Sequence, residues 1–205
     1  LNNLGADAIA GPAMDSALAS VHAGAKTGLG GFGSLVAGKS RYETGSYVDM
    51  LGVSAAAGLA YGMSYDERYI TMGPFLEYGK GDYDTLNQDG DREIRGSGDA
   101  EYMGGGFLLR WDEKAAGKGR YFAEASFRVG KLSNNFSSSD IHADSEQPTS
   151  YDSSAVYYGM HFGYGGAWKL SERTGLDIFG KYFYSRGESD AVALSSGEPI
   201  RFDEV

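Results

Sequence analysis

The residues from Ala155 to Leu170 limit the fold more than any other stretch. Taken two at a time they separate into two sets. Val156, Tyr158, Met160, Phe162, Tyr164, Gly166, Trp168 and Leu170 form one set, and Tyr157, Gly159, His161, Gly163, Gly165, Ala167 and Lys169 the other. A period of two is that of a β-strand, whose successive side chains point to opposite faces. The first face is bulky and apolar. The second is small or polar, but rich in glycine instead of the Lys, Glu and Thr of a solvated surface. That composition suits a crowded interior facing a small-residue wall. Tyr158 and Trp168 stand ten positions apart near the two ends of the apolar face. At roughly 3.3 Å per residue and about 40° of tilt they span ~25 Å, the height of the apolar band of an outer-membrane barrel. The stretch therefore predicts a membrane-spanning strand.

The pattern recurs. In Tyr47–Met63, Leu51, Val53, Ala55, Ala57, Leu59, Tyr61 and Met63 share one face, opposite Gly52, Ser54, Ala56, Gly58, Ala60 and Gly62. Further strands are expected at 28–39, at about 68–79 with Ile70, Met72, Pro74, Leu76 and Tyr78 outward, and at 102–111 with Met103, Phe107, Leu109 and Trp111 outward. A fifth, 121–129, turns Tyr121, Phe127 and Val129 outward. A seventh follows the opening stretch, with Leu176, Ile178, Tyr182 and Tyr184 outward, and an eighth begins at Ile200. Pro74 removes a ladder donor and predicts a bulge. Within these strands Glu77, Arg110, Glu124, Arg128, Asp177 and Lys181 all fall on the face opposite the bulky one, as does His161. They are the expected lining of a polar lumen, where buried charges must be paired or wet.

Connections also sort by length. Short turns are expected at 64–67, 112–119 and 171–175, and long polar loops at 80–98, 133–150 and 185–199. Short periplasmic turns alternating with long external loops characterise outer-membrane barrels. Tyr61, Trp111, Tyr121 and Trp168 gather at the short-turn end as an interfacial belt, with Tyr78 and Tyr158 toward the other edge.

Composition agrees. Of 205 residues, 32 are Gly, 15 Tyr and only 4 Pro. Cysteine is absent, which rules out disulfides and Cys-based metal sites. A net charge of −10 opposes nucleic-acid binding, which needs a basic footprint. No run of about 18 apolar residues predicts a transmembrane helix. Residues 1–27 read as a linker and a slim helix at Ala13–Ala23, begun by Gly11-Pro12 with Pro at the first helical position. Residues 28–205 read as the barrel.

Motif readings of other classes fail. Gly28–Gly33 matches GxGxxG, but a helix precedes it and a strand follows, the reverse of a dinucleotide site. Asp82, Asp84, Asp89 and Asp91 lack the spacing of an EF-hand. His22, His142 and His161 are scattered and support neither a zinc site nor a triad, and Asp140 with His142 is too little for a barrel protease. No metal, cofactor or turnover catalysis is expected.

The segments GLGGFGSLVAGKSRYETGSYVDMLGVSAAAGLAYG, FLEYGKGDYDT, EYMGGGFLLR, YFAEASFRVGKL and YDSSAVYYGMHFGYGGAWKL with LDIFGKYFYSRGES, in this order, resemble the C-terminal translocator barrel of bacterial autotransporters. The resemblance covers about 28–205. It implies a monomeric, twelve-stranded outer-membrane barrel threaded by a helix, about eight strands of which fall within this sequence, the last four lying beyond Val205. It implies type V secretion of an N-terminal passenger to the cell surface. The implied partners are outer-membrane lipid, the barrel-assembly machinery and that passenger. A stand-alone barrel acting as adhesin or pore is the alternative. The resemblance further implies a candidate self-cleavage at Asn2-Asn3, by attack of the first side-chain amide on its own carbonyl carbon, with Glu77 or Glu124 assisting.

Overall fold

The computed structural model describes residues 1–21, 27–43, 46–89, 92–115, 119–142, 148–189, 192–193 and 199–200. Seven strands form one antiparallel sheet in sequence order: β1 (Thr27–Glu43), β2 (Tyr47–Tyr65), β3 (Arg68–Asp89), β4 (Arg92–Ala115), β5 (Gly119–His142), β6 (Pro148–Lys169) and β7 (Gly175–Ser189). β1 and β7 are its edges, and closure into a barrel is not seen among the described residues. Two-residue strands β8 (Val192–Ala193) and β9 (Pro199–Ile200) pair with each other instead of extending the sheet. The eighth strand expected from Ile200 onward otherwise lies outside the described residues.

Alternation places the side chains as the sequence reads. On β2 Ser54, Ala56 and Ala60 are buried while Leu51, Val53 and Leu59 are exposed. On β6 Tyr157, Gly159, His161 and Gly163 are buried beneath exposed Val156, Met160, Phe162 and Tyr164. The face that is small and polar is thus the covered one. Leu35 and Leu76 on the other face are 75% and 74% exposed.

What covers the small face is the N-terminal helix, which starts earlier than the sequence suggests. α1 (Asn2–Ala8) runs through a π turn (Ile9–Ala13) into α2 (Met14–Val21). Pro12 does not begin the helix but sits inside the wide turn. Its missing N–H and its ring, which would strike the carbonyl four residues back, are accommodated by i→i+5 geometry. Ile9, Met14, Leu18 and Val21 pack with Phe32, Ala56, Ala60, Phe75 and Leu108 in one apolar cluster. Each large side chain so buried contributes about 1.5–3 kcal/mol. Close approach depends on glycine at two positions. A Cβ on Gly62 would lie 2.8 Å from Val21 Cβ, and one on Gly30 2.6 Å from the Ser20 carbonyl oxygen. The Tyr69 hydroxyl donates to the Val21 carbonyl at 2.8 Å, satisfying an end group of α2.

Two further expectations are corrected. The stretches 80–98 and 133–150 are not long loops, because β3 and β4 pair out to Asp89↔Arg92 and β5 and β6 out to His142↔Pro148. Cross-strand side-chain contacts sustain these arms, among them the hydrogen bond from Asn135 Nδ2 to Asp99 Oδ1 at 2.9 Å and the aromatic pair Phe136 and Tyr151 at 5.2 Å. Nor does Pro74 make a bulge. The β2–β3 ladder lacks only the rungs between Gly58↔Phe75 and Tyr61↔Met72, and its register is the same on both sides. Between Tyr65 and Arg68, Asp66 takes φ 53° in a two-residue hairpin turn, a conformation that Asp tolerates.

Candidate functional site

The covered face carries a buried polar cluster in two parts. In the first, Arg128 on β5 grips Glu77 on β3. Arg128 Nε donates to Glu77 Oε1 at 2.9 Å, and Nη2 lies 2.9 Å from Oε2. The Tyr157 hydroxyl donates to the same Oε1 at 2.8 Å. Side chains of the pair are 2% and 1% exposed, so the ionic contact is fully desolvated. Arg128 lies under the rings of Tyr102 and Tyr157, which meet edge to face at 5.7 Å. The Tyr102 hydroxyl bonds Ser54 in turn. The remaining guanidinium nitrogen, Nη1, donates to the Asn2 carbonyl of the helix at 3.0 Å.

In the second part Glu124 receives three partners. Arg110 Nη1 donates to its Oε2 at 2.6 Å, and Lys181 Nζ and His161 Nε2 lie 2.7 and 3.3 Å from its Oε1. Arg110 also bonds Asp112 through Nε and Nη2, both at 3.1 Å, and stacks over Phe122 at 4.0 Å. Lys181 reaches across to the π turn, donating to the Ala10 carbonyl at 2.5 Å. His161 Nδ1 lies 3.3 Å from Ser126 Oγ, and its ring stacks on Phe183. Two acids thus balance Arg110 and Lys181. The helix is held by one cation from each part of the cluster.

Glycine is what makes room for these long side chains. Glu77 stands opposite Gly104, Arg128 between Gly106 and Gly159, and Glu124 and Lys181 on either side of Gly163. The small residues of this face and its charges are therefore one feature.

Of the residues expected to line the interior, Glu77, Arg110, Glu124, Arg128, His161 and Lys181 are brought together. Asp177 is not, because β7 is an edge strand and leaves it exposed. Tyr157, which alternation places on the small face, and Tyr102 and Phe122, which share the parity of Arg110 and Glu124, are buried among the charges, a role the sequence reading did not give them. Asp112, taken for a turn residue, has the parity of Arg110, and that signal was available. Asn2 and Asn3 lie in the first turn of α1 instead of ahead of the helix, with the Asn2 Oδ1 atom buried and without a hydrogen-bond partner. His22 and Asp91 lie outside the described residues. Among the described residues no three His, Asp or Glu side chains gather in metal-binding geometry.

The uncovered face is ordered by depth. Tyr61 pairs with Met72 and Met72 with Leu109, so Trp111 lies two residues further toward the short turns. Trp111 pairs with Ala123, and Tyr121 lies two residues further still; Tyr121 pairs with Gly166, and Trp168 again lies two beyond. The four aromatics form one diagonal across β2, β4, β5 and β6, and Tyr121 and Trp168 meet edge to face at 5.8 Å. Tyr78 and Tyr158 stand on the same face nearer the other end. Beyond the apolar residues there, Arg41 forks onto Asp49 at 2.6 and 2.5 Å. Those hydrogen bonds hold the Asp49 carboxyl below the usual carboxylate range.

No protein-family model matches the chain, and no curated protein matches its sequence.

Proposed function

We propose that this chain is the translocator of an autotransporter: an outer-membrane β-barrel that anchors and exports the segment joined to its N-terminus. The observation that carries the reading is the pairing of an apolar, aromatic-edged outer face with an inner face plugged by the chain's own N-terminal helix. The helix has a direction. Val21 meets Tyr69 beside the short Tyr65–Arg68 turn, so α1 points toward the long hairpin arms. Beyond Asn2 lies a cavity of about 610 Å³ walled by Met50, Tyr83, Leu132, Phe136 and Tyr151. A segment upstream of the helix would run through it toward the cell surface. In lipid the unpaired edges of β1 and β7 would be untenable, so further strands of the same barrel join them in this reading. The barrel works as a passive conduit without a cofactor. Its partners are lipid, the barrel-assembly machinery and the passenger.

One geometry favours self-release as part of that function. Arg128 already donates to the Asn2 carbonyl, where negative charge would develop. The Asn2 side-chain nitrogen would bond to the Asn2 carbonyl carbon, closing a succinimide. The bond to the Asn3 nitrogen would break, and that nitrogen would leave as an amine after taking a proton. Glu77, bonded to Arg128 and Tyr157, fixes the guanidinium.

Expression of the full-length gene tests both statements. The upstream segment is expected at the surface of intact cells, where added protease removes it. In the wild type its mass should end at Asn2, and Asn2→Leu should leave it joined to the barrel but still exported. An upstream segment that stays inside the cell contradicts export and leaves the stand-alone adhesin or pore. Release unchanged in Asn2→Leu contradicts self-cleavage alone.

A further inference from the structure

The sheet's outer face carries a second diagonal, parallel to the aromatic one, and it is basic. Lys39 on β1 pairs with Leu51 and Leu51 with Asp82, so Lys80 on β3 lies two residues lower on the ladder. Lys80 pairs with Glu101 and Glu101 with Ser133, so Lys131 on β5 lies two residues lower again. Lys131 pairs with Val156 and Val156 with Glu188, which puts Arg186 on β7 two lower once more. Strands in a barrel tilt by about 40°, so a descent of about one residue per strand keeps a constant depth. On β5 Lys131 is ten residues from Tyr121. That places the basic diagonal ~25 Å from the aromatic one, at the opposite edge of the apolar band.

Lys39, Lys80 and Lys131 are exposed, and among the described residues Lys80 and Lys131 enter no salt bridge. Lys131 is flanked by Met103 and Val156 alone, while Lys80 faces Glu101, with Asp82 two residues further out. Lys39 stands across from Leu51 and near Asp49, and Arg186 lies 3.8 Å from Glu188. Lysines two strands apart and two residues lower are separated by about 12 Å, so each can take its own phosphate. One step outward, Asp99, Glu101, Ser133, Asn135, Asp152 and Ser154 line a shallow recess of about 400 Å³, three of them carboxylates. Carboxylate, amide and hydroxyl groups in such a recess suit sugar hydroxyls, as donors and acceptors in turn.

We propose that the Lys39–Lys80–Lys131 diagonal binds the phosphates of a phosphorylated, saccharide-headed lipid of the surrounding outer leaflet, with the recess above taking its sugar. This rests on the membrane-spanning reading. The test uses the full-length protein, purified in mild detergent. It is incubated with diphosphorylated lipid A, with the same lipid dephosphorylated, or with phosphatidylglycerol, and the bound lipids are counted by native mass spectrometry. Wild-type protein should retain the diphosphorylated lipid about tenfold better than either alternative. The triple variant Lys39→Gln, Lys80→Gln, Lys131→Gln should lose that preference, and the Lys→Arg triple should keep it. Equal retention of all three lipids by a chain that inserts into vesicles overturns the proposal and leaves the barrel standing. Equal retention by wild type and the Gln triple does the same. A preference for phosphatidylglycerol assigns the diagonal to phosphate alone and overturns the saccharide part. A chain that does not insert into vesicles overturns both readings.

Discussion

Arg128→Met is expected to cost the protein about 3–5 kcal/mol of stability, because it leaves the Glu77 carboxylate buried with only the Tyr157 hydroxyl for a partner. The Asn2 carbonyl loses its donor in the same step. Urea unfolding of the protein reconstituted in vesicles measures the loss. Coupling is the decisive part. The double variant Glu77→Met, Arg128→Met removes the orphaned charge together with its partner and should recover most of the stability, since apolar side chains of similar volume often replace a buried pair at little cost. Additive losses would mean that the two side chains do not act as a pair.

Glu124→Met is expected to have the next largest effect, about 3 kcal/mol, and to loosen the helix. Glu124 contacts the side chains of Arg110, Lys181 and His161. The loss is still the smaller of the two, because Arg110 keeps Asp112 and Lys181 keeps the Ala10 carbonyl. Lys181 joins the cluster to the π turn, so hydrogen exchange across 9–14 should quicken in Glu124→Met. Combining it with Lys181→Met should cost less than the two changes added together. As a control, Asp177→Asn should change nothing, since that side chain lies exposed on the edge strand.

What the sequence made legible was the alternation. Leu51 to Met63 and Val156 to Trp168 declare their faces because a strand repeats every two residues, and the covered charges share one parity. The rest was hidden for physical reasons. The helix start was obscured because Gly5, Ala6, Ala8 and Ala10 blur any amphipathic pattern, because no side chain caps α1, and because Gly11-Pro12 reads as a beginning when it is a π turn. The strand ends were missed because Asp82–Asp89 and Ser133–Ser139 have the composition of loops, and only cross-strand pairing holds them extended. Alternation places Tyr102 and Tyr157 on the covered face, but nothing in the spacing shows that their hydroxyls meet Ser54 and Glu77. The basic diagonal could not be read from spacing at all. Lys39, Lys80, Lys131 and Arg186 are far apart in sequence and align only through the ladder register.

The central claim is that the bulky face of the sheet meets lipid. A nitroxide label placed singly at each position from Val156 to Gly166 of the full-length protein, in a bilayer, tests it directly. Collision with lipid-dissolved oxygen should rise at Val156, Tyr158, Met160, Phe162 and Tyr164 and fall at the positions between them. A water-soluble nickel complex should be excluded from the first set. Ready access of the nickel complex to Met160 and Phe162 would place that face in water, and the translocator reading would fall with it.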